Sequence, residues 1–188
     1  MYYTTLATAL NALRNGQTLL YPTDTIWGIG CDAANTDAVE RIYAIKQRDH
    51  SKSMLVLAIP EMLSPQLPRD ILQLMLHSPR PTTVILPTSL LSIPLASNLP
   101  AADNTIGVRI PHFTFCQELL QQLGSPIVST SANLSGRPSP ASYEEIEPEL
   151  KQRIDCCLSN HPSFHHAPTS SSRIVKVEPD GTLSILRD

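Results

Sequence analysis

Hydrophobic positions recur along this chain with two different periods, and the change of period predicts its elements. Three leucines spaced four and three residues apart predict a helix over residues 5–15, which ends before Gly16. The short apolar run at 17–21 is typical of a buried strand. The chain therefore begins with a helix followed by a strand.

The same reasoning predicts the remaining elements. Helices are predicted over 35–46, with Asn35 or Thr36 as the N-cap, and over 68–77 and 113–123. A capping box at Ser142 and Glu145 starts another helix, which Pro148 breaks or restarts. Strands are predicted over 53–59, 82–86, 105–110, 126–130, 156–158, 172–178 and 182–186. Because helices and strands alternate without repeats or a linker, we expect one α/β domain over residues 1–188. The final two strands form a hairpin, which indicates a mixed sheet. Residues 87–104 form a loop, either a lid or a surface crossing.

Polar side chains follow two of the predicted strands. After 17–21 come Pro22, two threonines, Asp24 and a Trp-Gly-x-Gly sequence. After 126–130 the chain continues as Ser-Ala-Asn-Leu-Ser-Gly-Arg-Pro-Ser. Hydroxyls, amides and glycines at the edge of a sheet suit phosphate, carboxylate or ribose oxygens. Each segment is equally compatible with a simple solvated turn.

Composition restricts the classes of function. The chain has 188 residues with 41% hydrophobic residues, and 14 basic against 17 acidic side chains give a charge of −3. This charge argues against a dedicated nucleic-acid binder, although a local basic patch is compatible with it. The start of the chain lacks the pattern of a signal peptide, and prolines interrupt the most apolar region at 82–100, so we expect a cytoplasmic protein without a membrane span.

Four cysteines raise the question of a metal site. Cys31 and Cys116 stand alone, and no Cys-x-x-Cys pair occurs. The other two cysteines belong to a cluster that could bind a metal, which consists of Cys156, Cys157, His161, His165 and His166. Their spacing matches no standard zinc pattern, so we predict reduced thiols and no metal site.

Two sets of cations have open interpretations. Lys46, Arg48 and Lys52 follow the second helix, where they either complement its dipole in solvent or form a clamp for a polyanion. Lys46 continues the apolar face of that helix, an unusual place for a charge without a partner. Arg109 interrupts an apolar strand, and the alternation of the strand points it away from Val108 and Ile110. It is either a solvated side chain or a fork for a carboxylate.

Taken together, these segments resemble the YrdC-like family of threonylcarbamoyl-AMP synthases over nearly the whole chain. The matching motifs are Tyr21–Thr25, Lys46 with Arg48, Val108–Pro111, Ser131–Asn133 and Gly136–Ser139. The resemblance implies the short, single-domain form: a twisted mixed β-sheet flanked by helices around a concave, positively charged cleft.

The resemblance also implies the reaction. Family members are nucleotidyltransferases that join L-threonine, bicarbonate or carbon dioxide, and ATP into L-threonylcarbamoyl-adenylate, releasing pyrophosphate. The product serves the t6A modification of adenosine 37 in ANN-reading tRNAs. Mg²⁺ would arrive with ATP. Expected partners are the three substrates, proteins that take over the adenylate, and weakly bound tRNA or other RNA.

The resemblance assigns the substrate contacts residue by residue. Thr23, Arg109 and Ser129 match the threonine site, with Arg109 on the carboxylate. Lys46 and Arg48 match the cations that grip the ATP phosphates, and they would be the catalytic residues. The other nucleotide positions are His50, Thr105, Ser131, Asn133, Ser139, Ser172 and Arg187.

Several positions depart from the family pattern. Asp49 stands close to the usual place of a proline, Lys52-Ser53-Met54 replaces Lys-Pro-Leu, Arg80 replaces a glycine, and Arg173 replaces a threonine. The alternative is therefore a YrdC-like paralogue that binds RNA or nucleotide without the synthase activity. A carbamoyl-transfer module of a larger maturation enzyme is disfavoured, because no zinc-finger or acylphosphatase-like segment accompanies this sequence.

Overall fold

A mixed β-sheet forms the centre of the structure, a computed structural model that describes residues 2–158, 170–178 and 181–188. In chain order the strands are β1 Leu19–Tyr21, β2 Gly28–Gly30, β3 Leu55–Leu57, β4 Thr82–Pro87, β5 Thr105–Arg109, β6 Ile127–Ser131, β7 Cys156–Cys157, β8 Arg173–Val177 and β9 Leu183–Arg187. They pair in the order β7-β1-β2-β6-β3-β5-β4-β8-β9. β7 is parallel to β1, β5 to β3 and β8 to β4, and the other neighbours are antiparallel. The predicted mixed sheet and terminal hairpin are confirmed.

Five α-helices and two 3₁₀ turns accompany the sheet in the described residues. The helices are α1 Tyr2–Arg14, α2 Thr36–Lys46, α3 Arg69–His77, α4 Thr114–Leu123 and α5 Pro148–Gln152, and the 3₁₀ turns are Pro60–Met62 and Thr88–Leu90. α1 packs against α4 and β1, and α3 packs against β4. No helix in the described ranges is both long and apolar enough to cross a bilayer.

The second helix shows how local sequence fixes an element. The Asn35 side chain accepts a hydrogen bond of 2.9 Å from the Ala38 amide, which confirms the predicted N-cap. Val39 and Ile42 are fully buried. After Lys46, Gln47 adopts a left-handed conformation with φ 49°, and its amide bonds back to the helix. The helix therefore ends with the Lys46 side chain on its buried face.

The two faces of β5 separate the core from the site. Ile106 and Val108 are buried at 1% and 0% exposure and belong to the hydrophobic core. Thr105, Gly107 and Arg109 alternate with them and line cavities on the opposite face. The sequence prediction that Arg109 points away from Val108 is confirmed.

The predicted start of a helix at Ser142 is wrong, whereas the predicted break or restart at Pro148 is confirmed. Residues 141–147 form turns and bends, and helix α5 begins at Pro148. The Glu145 carboxylate accepts a hydrogen bond of 2.8 Å from the Ala141 amide. Pro148 has no amide hydrogen, so a helix cannot run through it from Ser142, and it serves instead as the first residue of a helix.

The 87–104 segment is a surface crossing packed on the core. Thr88–Leu90 forms a 3₁₀ turn, and Leu91 pairs with Leu63 in an isolated bridge. Leu99 is fully buried, and the Ala96 amide bonds to the Ala33 carbonyl oxygen over 2.8 Å. These anchors explain why an apolar but irregular segment stays in one place.

One glycine of the Gly-x-Gly sequence is required by a close approach of two strands. A Cβ atom on Gly30 would lie 2.0 Å from the backbone oxygen of Val128, on the neighbouring strand β6. A Cβ on Gly28 would meet only side chains, the nearest being Ser129 Oγ at 3.3 Å. Gly30 therefore serves strand packing, whereas Gly28 lines the cavity described below.

We predict that Gly30→Ala lowers the free energy of unfolding by about 3 kcal/mol, because the backbone of β6 must shift to admit the methyl group. The matched Gly28→Ala should cost about 1 kcal/mol or less, because the Ser129 hydroxyl can rotate away. Urea unfolding followed by circular dichroism measures both values. Equal losses in the two variants would show that the approach to Val128 does not constrain the fold.

Candidate functional site

A cavity of about 290 Å³ lies on the polar face of the sheet; we call it the central cavity. Its lining comes from strands β2 to β6, β8 and β9, from the loops that follow β1, α2 and β6, and from the residues just before β8. Eight of the twelve site residues predicted from the sequence line it: Thr23, Arg48, Arg109, Ser129, Ser131, Ser139, Ser172 and Arg187. The fold therefore brings together residues from opposite ends of the chain.

Lys46 lies behind the wall of the central cavity, in a cage of neutral oxygens. Its Nζ donates hydrogen bonds to the backbone oxygens of Ser131 and Asn133, the latter over 2.6 Å. The Asn133 Oδ1 and Ser131 Oγ atoms lie 3.3 and 3.4 Å from Nζ. The residue is only 1% exposed. Among the described residues, the Lys46 ammonium on the buried face of α2 is therefore stabilised by the dipoles of neutral oxygens and not by a counterion.

Burial without a counterion changes the acidity of this lysine. Desolvation, followed by repulsion from the neighbouring Arg48 guanidinium, lowers the pKa of Lys46 to about 7. An anion placed against Ser131 would offset both effects and restore the charge. Lys46 is thus prepared to gain a proton when an anion binds.

Arg48 lines the central cavity from a loop that its own side chain stabilises. Its Nε and Nη2 donate hydrogen bonds of 2.9 Å to the backbone oxygens of Lys52 and Ser53. Asp49 accepts a 2.8 Å hydrogen bond from the Ser51 amide, and this bond is the main reason that the pKa of Asp49 falls. The Asp49 turn occupies the region in which the family usually carries a proline.

Arg109 forms a buried ion pair with Asp24, in the loop after β1. Its Nη1 bonds to Asp24 Oδ1, and the other carboxylate oxygen accepts a 3.0 Å hydrogen bond from the His112 amide. The side chains are 3% and 10% exposed, so the interpretation of Arg109 as a solvated residue is wrong. Arg109 Nε is buried and has no hydrogen-bond partner among the described residues. The Asp24 carboxylate therefore binds one end of the Arg109 guanidinium, which the sequence analysis predicted to bind the carboxylate of a ligand.

The Thr23 hydroxyl is committed to the loop that carries it. It donates to the Ile26 carbonyl oxygen over 2.8 Å, lies 2.8 Å from the Thr25 hydroxyl and accepts from the Thr25 amide over 3.0 Å. Trp27, which also lines the central cavity, packs its ring 5.3 Å from that of Tyr143. Hydrogen bonds within the loop after β1 and the contact with Tyr143 therefore hold this wall of the cavity in place.

Four predicted nucleotide residues do not line the central cavity: Lys46 and Asn133, which form the cage described above, and His50 and Thr105. His50 stacks on Tyr43 with ring centroids 4.2 Å apart, and its Nε2 lies 3.2 Å from a Glu40 carboxylate oxygen. Thr105 lines two neighbouring cavities on the same face of the sheet, and it bonds to Asp103 over 2.6 Å. Their roles toward a nucleotide stay predictions.

The lining of the central cavity includes three arginines and, within the described residues, no Asp, Glu, His or Cys. Burial raises the pKa of Cys31 and Cys116, which keeps both as thiols. In the described ranges no cluster of three or more His, Cys, Asp or Glu side chains could hold a metal. His161, His165 and His166, from the group considered for zinc, lie outside the described residues. The cavity is thus suited to anions held by cations and neutral donors.

Comparison with known proteins identifies the family. The Sua5/YciO/YrdC model, described as "Telomere recombination", matches residues 11–188. The chain belongs to this family. A threonylcarbamoyl-AMP synthase of Vibrio parahaemolyticus is 32% identical over 168 residues, which cover 85% of this chain and 89% of the relative.

Solved structures of the Sua5/YciO/YrdC family share the fold. P. abyssi Sua5 complexed with L-threonine superposes with a TM-score of 0.83 at 24% identity, over 100% of this chain and 54% of Sua5. E. coli YciO gives a TM-score of 0.78 at 24% identity, over 100% of this chain and 90% of YciO. The chain thus spans about half the length of Sua5 and most of YciO.

Sequence reasoning missed three features of this Sua5/YciO/YrdC site. It did not pair Asp24 with Arg109, although a charge on an apolar strand requires a partner. It did not place Tyr143 on Trp27. It also treated Thr83 only as part of a strand, whereas the Thr83 side chain lines the central cavity and lies 2.8 Å from the Ser172 hydroxyl. The alternation of β4, read together with that of β5, was the available signal for Thr83.

Lys46 should make the free energy of unfolding of this chain depend on pH. Its pKa is about 7 in the folded chain against an ordinary 10.5, so between these pH values the unfolded chain binds more protons. The free energy of unfolding then rises with pH, by at most about 1.4 kcal/mol per pH unit for one proton. Urea unfolding of wild type and Lys46→Met between pH 7 and 9 should show a difference that shifts in favour of wild type as pH rises.

The exposed Lys52 provides the control for this measurement. Lys52→Met should leave the pH slope of the wild type unchanged. A constant difference between wild type and Lys46→Met across this range would show that Lys46 stays charged in the folded protein.

Proposed function

We propose that this chain is an L-threonylcarbamoyladenylate synthase, a nucleotidyltransferase that uses L-threonine, bicarbonate or carbon dioxide, and ATP. The observation that carries the proposal is the central cavity, which is lined by Arg48, Arg109, Arg187 and several hydroxyl groups and, among the described residues, by no Asp, Glu, His or Cys. The Vibrio relative named threonylcarbamoyl-AMP synthase supports a transferase. The P. abyssi Sua5 structure complexed with L-threonine supports threonine as a substrate.

The threonine site lies at the Arg109 end of the central cavity. The Arg109 guanidinium is oriented by Asp24, and its free edge would bind the amino-acid carboxylate. Ser129, 5% exposed and next to Gly28, would contribute the adjacent contact. Because the Thr23 hydroxyl proton is already donated to the loop, Thr23 would contact the substrate through its methyl group or backbone.

The triphosphate would lie at the opposite end, between the loop after α2 and the loop after β6. Arg48 provides a fixed guanidinium, and Lys46 gains its proton as the phosphates approach Ser131. Asn133 holds the Lys46 ammonium, and Ser139 lines the same end of the cavity. Two cations without a carboxylate partner would stabilise the charge of the departing pyrophosphate.

The chemistry requires alignment, not a protein nucleophile. Threonine and carbon dioxide give a carbamate with loss of a proton, or with bicarbonate and loss of water. A carbamate oxygen attacks the α-phosphorus, and the bond from this phosphorus to the bridging oxygen breaks as pyrophosphate leaves. Holding both reactants in one rigid cavity lowers the entropic cost of this step. Because no carboxylate of the described residues lines the cavity, Mg²⁺ would fit here as an ion held by ATP phosphates and water, where it would neutralise phosphate charge.

The product determines the further partners. A mixed carbamic–phosphoric anhydride hydrolyses in water, so a transfer enzyme must accept it promptly. We propose that this enzyme acts in t6A modification of tRNA, with tRNA contacting this chain weakly if at all.

Pyrophosphate release from ATP should require threonine and bicarbonate together. Lys46→Ala and Arg48→Ala should each lower this rate by about 100-fold or more, because each removes a preorganised cation from the leaving group. A coupled pyrophosphate assay with Mg²⁺ present measures the rates. Lys52→Ala, at an exposed lysine of the same loop, should keep the wild-type rate.

Folded wild-type protein that releases no pyrophosphate in response to threonine would contradict the synthase. Salt-sensitive RNA binding by such a protein would favour the paralogue that binds RNA without this activity.

Replacing Arg109 or Arg48 by lysine should weaken the binding of different substrates, because each change removes the two parallel donors of one guanidinium. Arg109→Lys keeps a charge for Asp24 but not two parallel donors, so the KM for threonine should rise by about tenfold or more while the KM for ATP changes little. Arg48→Lys should show the reverse pattern. Steady-state kinetics with each substrate varied in turn distinguishes them, and an equal rise in both KM values for either variant would contradict the division of the cavity.

A further inference from the structure

A chain of hydrogen bonds leads from the floor of the central cavity to the edge of the sheet. It starts at Thr83 on β4, passes through Ser172 before β8, and ends at Arg187 on β9. The sequence assigned a nucleotide contact to Ser172 and Arg187 but no role to Thr83. This chain is the feature of the cavity that the mechanism above leaves unused.

Arg187 depends on Ser172 for its position. It lies on the last strand of the sheet in the described residues, and its side chain is exposed. Its Nε and Nη2 donate hydrogen bonds of 3.0 and 2.8 Å to the Ser172 carbonyl oxygen, and Nη2 lies 3.4 Å from Ser172 Oγ. A long side chain on an edge strand would otherwise sample many rotamers. The Ser172 backbone therefore fixes where the guanidinium points.

Ser172 depends in turn on Thr83. Its hydroxyl is 2.8 Å from Thr83 Oγ1, and the two side chains are 3% and 1% exposed. Thr83 is itself fixed, because β4 pairs it with Arg109 on β5 and with Ile174 on β8. The buried hydroxyl pair thus ties Ser172, and through it Arg187, to the centre of the sheet.

Arg187 is the donor in its contacts with Ser172. A guanidinium only donates, so Ser172 accepts at both its carbonyl oxygen and its hydroxyl oxygen. Because a hydroxyl oxygen can accept twice, either hydroxyl of the Thr83–Ser172 pair can donate to the other. Burial, with the nearby Arg80 and Arg109 charges, lowers the pKa of Arg187, so this corner of the cavity is electropositive and suited to an anion.

We propose that Thr83 is a positioning residue of the nucleotide site, which acts through Ser172 to aim the Arg187 guanidinium at the α-phosphate of bound ATP, the phosphate that meets the threonine end of the cavity. This inference rests on the proposed function for the identity of the ligand. It goes beyond the sequence assignment because Thr83 itself needs no contact with ATP.

Thr83→Val tests the proposal, because valine keeps the branched shape and removes only the hydroxyl. ATP affinity, measured by calorimetry with Mg²⁺, should fall roughly three- to tenfold, the effect of one hydrogen bond. The KM for ATP should rise by the same factor with the KM for threonine unchanged, and Thr83→Ser should restore both. In an Arg187→Met background, Thr83→Val should have no further effect on ATP affinity, because the guanidinium it positions is gone.

Thr82→Val is the matched control. Thr82 is the neighbouring residue of β4, is 2% exposed, and bonds through its hydroxyl to Ser78 and Arg80 at 3.0 and 2.8 Å, outside the lining of the central cavity. Its loss should lower stability without changing ATP affinity. Unchanged ATP affinity in Thr83→Val, or an equal loss with and without Arg187, would overturn the positioning role.

Failure of the proposed synthase function would give different results from failure of the positioning role of Thr83. A wild type that binds ATP through Thr83 but shows no threonine-dependent pyrophosphate release would contradict the synthase and support the positioning role. An active wild type with an unaffected Thr83→Val would contradict the positioning role alone. A wild type that neither binds ATP nor turns it over would overturn both.

Discussion

The buried ion pair between Arg109 and Asp24 is the constraint on which the cavity depends. It joins the centre of the sheet to the loop after β1, and the His112 amide adds the segment that leads to α4. Removing either partner would leave the other as a buried charge without a counterion, which strongly destabilises a folded protein. The loop that carries Thr23 and Trp27 therefore cannot move independently of β5. This coupling makes one wall of the cavity rigid before any ligand binds.

Lys46 is held by the opposite principle. Arg109 is neutralised by a carboxylate, whereas Lys46 has only amide and hydroxyl oxygens around its ammonium. The first arrangement orients a guanidinium without adding net charge, which suits recognition of one carboxylate. The second leaves a positive charge without a counterion, beside Arg48, and lowers the pKa of the lysine until an anion arrives. The contrast gives the cavity one end suited to recognition and one suited to a polyanion, in a chain whose net charge is −3.

The sequence correctly predicted the features that depend on interactions between residues close to one another in the chain. The Asn35 cap, the leucine face of α1 and the terminal hairpin follow from contacts within a few residues, and each was confirmed. The capping box at Ser142 failed because Pro148 decides where the helix starts. The motifs identified eight lining residues of the cavity, but not the pair of Arg109 with Asp24, which are 85 residues apart. A single sequence does not reveal which strands are neighbours, and the register of β8 beside β4 determines that Thr83 meets Ser172.

Hydroxyl groups in the cavity differ in their hydrogen-bond partners. Thr23 donates its only proton to Ile26 and accepts twice, so it has no donor left for a ligand. In the Thr83–Ser172 pair either hydroxyl can donate to the other, and the Ser172 oxygens also accept from Arg187. Thr23 is thus bonded within its own loop, whereas Thr83 connects two strands of the sheet to Arg187. The hydrogen-bond partners therefore separate two residues that the sequence presents identically, as threonines beside the same sheet.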